Sequence, residues 1–510
     1  MLFSSVLSAA ASAFLFSSAA LVQAAPINAT TGSFSVIDGA PLTFSYETSD
    51  PFSTNWIAIY PASVDPTTSD KPESAALTWK YTPDAKGTVQ IDVDTLLAGP
   101  YLACFLSRGG YKPLAPPFTV TVKGDPIPFG FIVNDITLRN ARQGDRYEAK
   151  IGGLIDGGAA VAFQKVSGND WLQLSNDGTI SGIPPTSYTN GTDASTIVVR
   201  ATSSTGATSE LKATIPVRAA GTPLVPEFRA MTFNMWLGGS QVKDSHRKQV
   251  RFIANTNVDI IGLQDTSGGH PKRLADALGW YFWSPPRSNI GTISRYPIVQ
   301  GYDLVDNAAT GMRVALDGDA SQINFWSMHL EWTPYGPYDF CFGNMTVEQV
   351  LQREAESRRI AQVMDVLKAM DSQLVNANKA PVFLVGDANA PSHLDWTEAL
   401  RSKNCGRANI PWPTSVKPTE AGLIDSFRVA NPDPAAVPGT TWSPLHATNV
   451  EGGITGKPEP QDRIDFIYYK GGINVVDSKT IVVGNPKEQP QHKDNEWTTD
   501  HAAVITTFRF

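Results

Sequence analysis

Cysteine is scarce in this chain. Only Cys104, Cys341 and Cys405 occur in 510 residues, which excludes a disulfide-built scaffold and leaves stability to buried apolar surface. Cys341 and Cys405 remain a candidate pair within the last domain, while Cys104, inside Tyr101-Leu102-Ala103-Cys104-Phe105-Leu106, reads as a buried strand thiol. Positive charge is also short. The formal net charge is −8, and residues 224–510 hold 27 Lys and Arg against 31 Asp and Glu, or −4. Tight binding to long nucleic acid draws on clustered cations that displace counterions, and no such bulk excess exists here. Beyond the first two dozen residues there is no apolar run approaching the ~20 residues that span a bilayer. Hydrophobic residues make up 42% of the chain, an ordinary globular share that argues against disorder or a fibre.

What is present first is an apolar, small-residue run over residues 2–22, followed by Val22-Gln23-Ala24 and Ala25-Pro26. This reads as a signal peptide over 1–24 and predicts a secreted, extracellular protein. The run starts without Lys or Arg, so a signal anchor is the alternative. Sequons at Asn28, Asn190 and Asn344 agree with a glycosylated surface.

The length predicts three or four folding units. Residues 26–124 alternate in Phe34-Ser35-Val36, Leu42 to Tyr46 and Phe118 to Val122, with Pro and Gly between, and predict a β-sandwich. Asn55-Trp56-Ile57-Ala58-Ile59-Tyr60-Pro61 and Leu77 to Tyr81 resemble immunoglobulin-like modules that precede some secreted phosphoesterases. Residues 125–219, with Trp171 to Leu174, Gly178 to Pro184 and Thr196 to Ala201, resemble the immunoglobulin or cadherin-like repeats of extracellular proteins. No acidic cluster there suits calcium, and the expectation is a spacer. Residues 220–226 are small and Pro-rich, a predicted linker. From 227 to 510 strands alternate with helices, such as Glu354 to Met370, where Ile360, Val363, Leu367 and Met370 share one face.

In that last domain, polar residues recur at the ends of predicted strands. Phe228 to Phe233 ends at Asn234; Val258 to Leu263 ends at Gln264-Asp265; Ile323 to Leu330 carries His329. Pro381 to Val385 runs into Gly386-Asp387-Ala388-Asn389, where the i, i+2 spacing aims two polar groups at one site. Asp462 to Tyr469 carries Asp465 among large apolar residues, and a buried carboxylate needs a partner. His501, in Thr499-Asp500-His501, is available, and a carboxylate behind it would fix its tautomer and raise its basicity.

The set and its order resemble the endonuclease/exonuclease/phosphatase superfamily, the strongest elements being Gly386-Asp387-Ala388-Asn389 and Asp500-His501. The resemblance implies a four-layer α/β sandwich of two packed mixed sheets flanked by helices, following the two all-β sandwiches. It implies Mg²⁺ or Mn²⁺ at Asp265, Asn234 and Asp500, with Asp387 and Asn389 positioning water and phosphate. His501 would be the base, oriented by Asp465, and His329 would donate to a phosphate oxygen. Oxygen ligands suit those hard cations. Asp265 departs from the Glu usual in the second motif and is one methylene shorter.

The expected activity is hydrolysis of a phosphate mono- or diester by water attack, sphingomyelinase-like or on a small organophosphate. A secreted nuclease is the alternative. A second alternative is a surface- or glycan-binding protein with a degenerate catalytic domain, in which the N-terminal modules contact a cell surface. The chain is expected to be a monomer. Arg287, Arg295 and Arg313 are candidate phosphate contacts. Three aromatic loops, Trp280 to Trp283, Trp332 to Tyr338 and His393 to Trp396, are candidate pocket walls.

Overall fold

A computed structural model of the chain describes residues 31–510 except 38–40, 63, 69–75, 97, 124–126, 159, 187–193, 267–268, 287 and 450–452. The leader reading at 1–24, the sequons at Asn28 and Asn190, and Arg287 lie outside the described residues. No helix among the described residues is long and apolar enough to cross a membrane.

The first β-rich unit pairs a three-stranded sheet (Gly32–Ile37, Thr43–Thr48, Lys86–Gln90) with a four-stranded one (Thr78–Tyr81, Trp56–Pro61, Gly99–Leu106, Pro113–Val122). Phe44, Ile57, Ile59, Ala103, Phe105 and Val120 fill its core. Alternation along Thr43–Thr48 sends Phe44 and Tyr46 inward, as a strand with one buried face requires. Cys104 is buried and free, as its strand position predicts. The second unit builds on the long hairpin Ala194–Ser203 and Thr208–Arg218, whose Ile197, Val199, Ala201, Leu211, Ala213 and Ile215 are fully buried.

From Glu227 onward two six-stranded sheets form. One runs, edge to edge, Tyr281–Trp283, Gly291–Ser294, Ile260–Gln264, Glu227–Asn234, Ala503–Arg509, Asn474–Ile481; the other Ile298–Val305, Ala309–Asp317, Ser321–His329, Val382–Asp387, Asp465–Lys470, Ile424–Asp425. Both mix parallel and antiparallel pairs. Central strands with two covered faces must be apolar throughout, and Val382–Asp387 is buried at every position. Phe383 and Val385 meet Phe228, Ala230, Ile260 and Phe508 between the sheets. Val382 and Leu384 face outward onto the helix Arg359–Val375 through Val363, Val366, Leu367 and Met370. On the opposite outer face, Met231, Phe233, Ile261 and Leu263 pack under Ser245–Thr256 and His270–Leu278. The order helix, sheet, sheet, helix is the predicted four-layer sandwich.

The single helix predicted from Glu354 is instead two, Val347–Glu356 and Arg359–Val375. Arg358 between them has φ 68°, and the break turns Arg359 inward to ion-pair with Glu354 at 2.6 Å, both essentially buried. Residues 220–226 are held from both sides. Asn140 Nδ2 donates to Leu224 O, Leu224 N–H donates to Asp317, and Val225 is buried in the core between the sheets. The second β-unit packs directly on this domain. Gly153 lies against the backbone of Asp276 and Ala277 with no room for a Cβ, and Ile151 and Leu154 share one apolar cluster with Leu274 and Leu278. Cys341 and Cys405 form a disulfide.

Candidate active site

Strand register assembles the site. In the second sheet His329 is paired with Asp387, and Asp387 with Asp465, so three side chains 136 positions apart at the extremes form one row across three neighbouring strands. In the first sheet Asn234 is level with Gln264. Its Nδ2 crosses between the sheets to donate to Asp387 Oδ2 at 2.9 Å. Asp387 Oδ1 accepts the Asn389 N–H at 2.7 Å, in a turn that holds Asn389 at φ 49°.

His501 Nδ1 lies 2.9 Å from Asp465 Oδ2, and its Nε2 is 3.7 Å from Asp387 Oδ2. His329 Nε2 is also 3.7 Å from that oxygen, and its Nδ1 accepts from Asn289 Nδ2 at 3.3 Å. Asp387, Asp465 and His501 are at most 5% exposed. Burial disfavours a charged imidazole, but Asp465, Asp387 and Asp500 outweigh it and push His501 up to about 10. Asp387 is raised by burial and by the Asp465 charge.

Asp265, at φ 47° just past its strand, accepts the Leu237 N–H at 2.7 Å. Asp500 is 6% exposed and pushed up to about 7, by burial first and then by the Asp265 and Asp387 charges, against the pull of His501. Four carboxylates thus crowd one small region, an excess of negative charge that a divalent cation would offset. Oxygens of Asp387 and Asp465 and a nitrogen of His501 lie within 4.8 Å of one another, but this trio is a poor cation cage. The Asp465 oxygen is engaged by His501 Nδ1, and both Asp387 oxygens already accept hydrogen bonds. Asp265 and Asp500, with the Asn234 oxygen that accepts the Trp236 N–H, offer oxygen donors of the kind that Mg²⁺ or Mn²⁺ takes.

Hydrogen bonds and close contacts bring Asn234, His329, Asp387, Asn389, Asp465 and His501 together, Asp500 feels the charges of Asp265 and Asp387, and Gln264 departs from the set. It is fully buried, accepts from Thr232 Oγ1 and donates to Ser327 Oγ, tying the sheets together. Arg295 is buried beside Asp259 and over the Trp280 ring, and Arg313 Nε donates to Asn324. Neither reaches the site. Of the aromatic loops, Trp280 and Tyr281 face the second β-unit, and Trp396 is core at 2% exposure. Among the described residues of these loops, the rings of Trp332, Tyr335 and Tyr338 border the site, with Asn389, Trp442 and Ile464.

Four contributors had no sequence signal, because they sit in loops without periodic pattern. Thr441 Oγ1 accepts the N–H groups of Ile464 and Asp465. The Trp442 ring lies 5.0 Å from His501, His446 Nε2 lies 3.9 Å from Asp500, and Asn289 holds His329.

The Endonuclease/Exonuclease/phosphatase family profile matches residues 231–501, which contain all of these groups. The chain belongs to that family. A Caenorhabditis elegans protein named only as uncharacterized protein F14F9.5 is 33% identical over 291 residues, covering 55% of this chain and 91% of that one. Among solved structures, truncated C. elegans TDP2 is 18% identical with TM-score 0.35, covering 56% of this chain and 98% of that one. The human Nocturnin catalytic domain with bound sulfate matches at 18% and 0.35, covering 57% and 96%. A Neisseria 3′ phosphatase, NExo, matches at 17% and 0.35, covering 56% and 100%. Family membership supports hydrolysis of phosphoric esters as the chemistry of this domain.

Proposed function

We propose that this protein is a secreted, divalent-cation-dependent phosphoesterase that hydrolyses a phosphate mono- or diester by attack of water. The observation that carries the reading is the row His329, Asp387, Asp465 with His501 locked on Asp465, facing the Asp265 and Asp500 carboxylates.

In this reading Asp265, Asp500 and Asn234 hold Mg²⁺ or Mn²⁺. Bound there, the cation would neutralise charge on the phosphoryl oxygens. Asp465 keeps the proton on His501 Nδ1, so Nε2 faces the site as the base. Neutralising Asp500, one of the charges that raise His501, lowers its proton affinity toward the range in which imidazole takes a proton from water. Asp387 and Asn389 position water and phosphate, and the His329 Nε2 proton serves a phosphoryl oxygen. The water oxygen bonds to phosphorus, its proton passes to His501, and the ester P–O bond breaks. The departing oxygen leaves with the bonding pair and is protonated to the alcohol. No covalent enzyme intermediate is required.

The test is hydrolysis of bis-p-nitrophenyl phosphate and p-nitrophenyl phosphate with Mg²⁺, Mn²⁺ or EDTA. Cation-dependent turnover lost in Asp387→Ala supports the reading; folded protein that turns over neither ester with any cation contradicts it.

A further inference from the structure

The pocket beside the catalytic row is walled by Trp332, Thr333, Tyr335, Tyr338, Trp442, Asn389 and Ile464, and has a volume of 120 Å³. Drug-sized ligands fill about 300 Å³ or more, so this space takes one compact group. The polar tips of three of its rings are spoken for. Tyr335 donates its hydroxyl to Asp462 at 2.9 Å, Tyr338 donates to Glu459 at 2.7 Å, and Trp442 Nε1 donates to the same Glu459 oxygen at 2.8 Å. What these three rings offer a ligand is therefore π surface.

The layer behind the rings is anionic. Asp462 and Glu459 are 7% and 5% exposed. The Asp462 side chain is held by the neutral donors Tyr335 Oη and Trp396 Nε1, and burial pushes its carboxyl up to about 6, so it is still mostly ionised at neutral pH. Glu459 also accepts from Asn449 Nδ2. A phenol donating to a carboxylate has a more electron-rich ring, which strengthens its attraction for a cation over its face. The same aromatic row already carries one cation, Lys457 Nζ, 4.9 Å over the Phe342 ring beside Tyr338.

The walls are fixed before any ligand arrives. Arg359 is fully buried, donates to Glu331 O at 2.9 Å and to Pro334 O, and so clamps both ends of the turn that carries Trp332. Tyr335 and Tyr338 brace each other edge to face at 4.9 Å. The pocket adjoins the reacting centre, since the Trp442 ring lies tilted 5.0 Å from His501 and Asn389 follows Asp387 by two residues.

Small volume, aromatic walls, the engaged tips of Tyr335, Tyr338 and Trp442, and buried negative charge suit a methylated ammonium group and disfavour a second phosphate. Resting on the phosphoesterase reading, we infer that the substrate is a phosphate ester of a short alcohol bearing a quaternary ammonium, a choline-type ester, with the cationic head in this aromatic pocket and the phosphorus over the catalytic row. The ester comes from a lipid headgroup or from a soluble small molecule.

The experiment compares p-nitrophenyl phosphorylcholine with p-nitrophenyl 3,3-dimethylbutyl phosphate, its uncharged carbon isostere, using the full chain and the cation that supports turnover. The expected result is a kcat/KM preference of about tenfold or more for the charged ester, the factor that a partly desolvated cation–π contact supplies. Competitive inhibition by tetramethylammonium should accompany it. Trp332 is 59% exposed, so Trp332→Ala should fold, and it should cut the preference severalfold while Trp332→Phe retains most of it. Equal rates on the two esters, or faster turnover of the isostere, would overturn the inference. Should no ester be hydrolysed, the catalytic reading has failed, and saturation-transfer NMR of tetramethylammonium still decides the pocket. Transfer that is lost in Trp332→Ala supports it, and no transfer in the wild type overturns it. Phosphocholine release from sphingomyelin–phosphatidylcholine vesicles points to a lipid source, and release from glycerophosphocholine to a soluble one.

Discussion

Replacing Asp465 by Asn isolates one charge at the centre of the site. Asp465 is 1% exposed, its Oδ2 lies 2.9 Å from His501 Nδ1, and its backbone N–H is held by Thr441. An amide occupies the same space, so the fold should persist. The imidazole loses the nearest of the carboxylates that raise it and the acceptor that fixes its tautomer. In hydrolases built on a carboxylate–histidine pair, the matching change lowers kcat by about 10⁴, which is about 5 kcal/mol in the barrier. Asp465 makes no direct approach to substrate in this arrangement, so KM should move by less than about threefold while kcat falls by about 10³ to 10⁴. Removing the carboxylate also removes stabilisation of the imidazolium, so the His501 limb of the kcat/KM profile should move to lower pH. Steady-state rates on the chromogenic diester across pH 5 to 10 measure both. A loss under tenfold with an unmoved profile would refute the orienting role.

Three further outcomes follow from packing and burial. Arg463 is 2% exposed and bridges Asp395 and Asp425, with Arg428 on Asp395 at 2.6 Å; Arg463→Met leaves Asp395 with Arg428 but strips the buried Asp425 of its ion-pair partner, and should cost about 3–5 kcal/mol by urea denaturation. Gly153→Ala places a Cβ into the Asp276 and Ala277 backbone, and should loosen the second β-unit from the catalytic domain, seen as faster hydrogen exchange in 151–154 and 274–279. His270 is buried with Nε2 on Gln249, and burial holds its pKa well below the ordinary value, as it holds His246 near 4. A depressed histidine contributes stability present above about pH 6.5 and lost as pH falls toward the folded value, by at most about 1.4 kcal/mol per pH unit per group. His270→Gln should flatten the fall in urea midpoint between pH 7 and 5.

Strand ends carried most of the readable signal. A hydrophobic run stopping at Asn234, Asp387 or His329 marks a polar group at a sheet edge, and sheet register then fixes which edges meet. The disposition of Gln264 was not readable, because a residue at a strand end faces either the edge or the space between sheets, and its bonds to Thr232 and Ser327 select the latter. The aromatic loops had the same ambiguity: Trp396 and Trp332 belong to similar local sequences, yet one is core and the other 59% exposed. Thr441, Trp442 and His446 come from a long irregular segment whose position depends on tertiary contacts such as Ser443 Oγ to Asp500 O. The helix break at Arg358 follows from a long-range demand, the burial of Arg359 against Glu354, Glu331 and Pro334, which overrides the helical periodicity. Packing of the second β-unit on the catalytic domain depends on the bare backbones of Gly153 and Gly279, which composition alone reads as loop.

The central claim, that this site drives water onto phosphorus, is tested most directly by hydrolysing a diester in ¹⁸O-labelled water with the supporting cation and locating the label. The account predicts one ¹⁸O per turnover in the phosphate product, none in the alcohol, and no product above background from His501→Ala. Label in the alcohol, or undiminished turnover by the His501 variant, would contradict it.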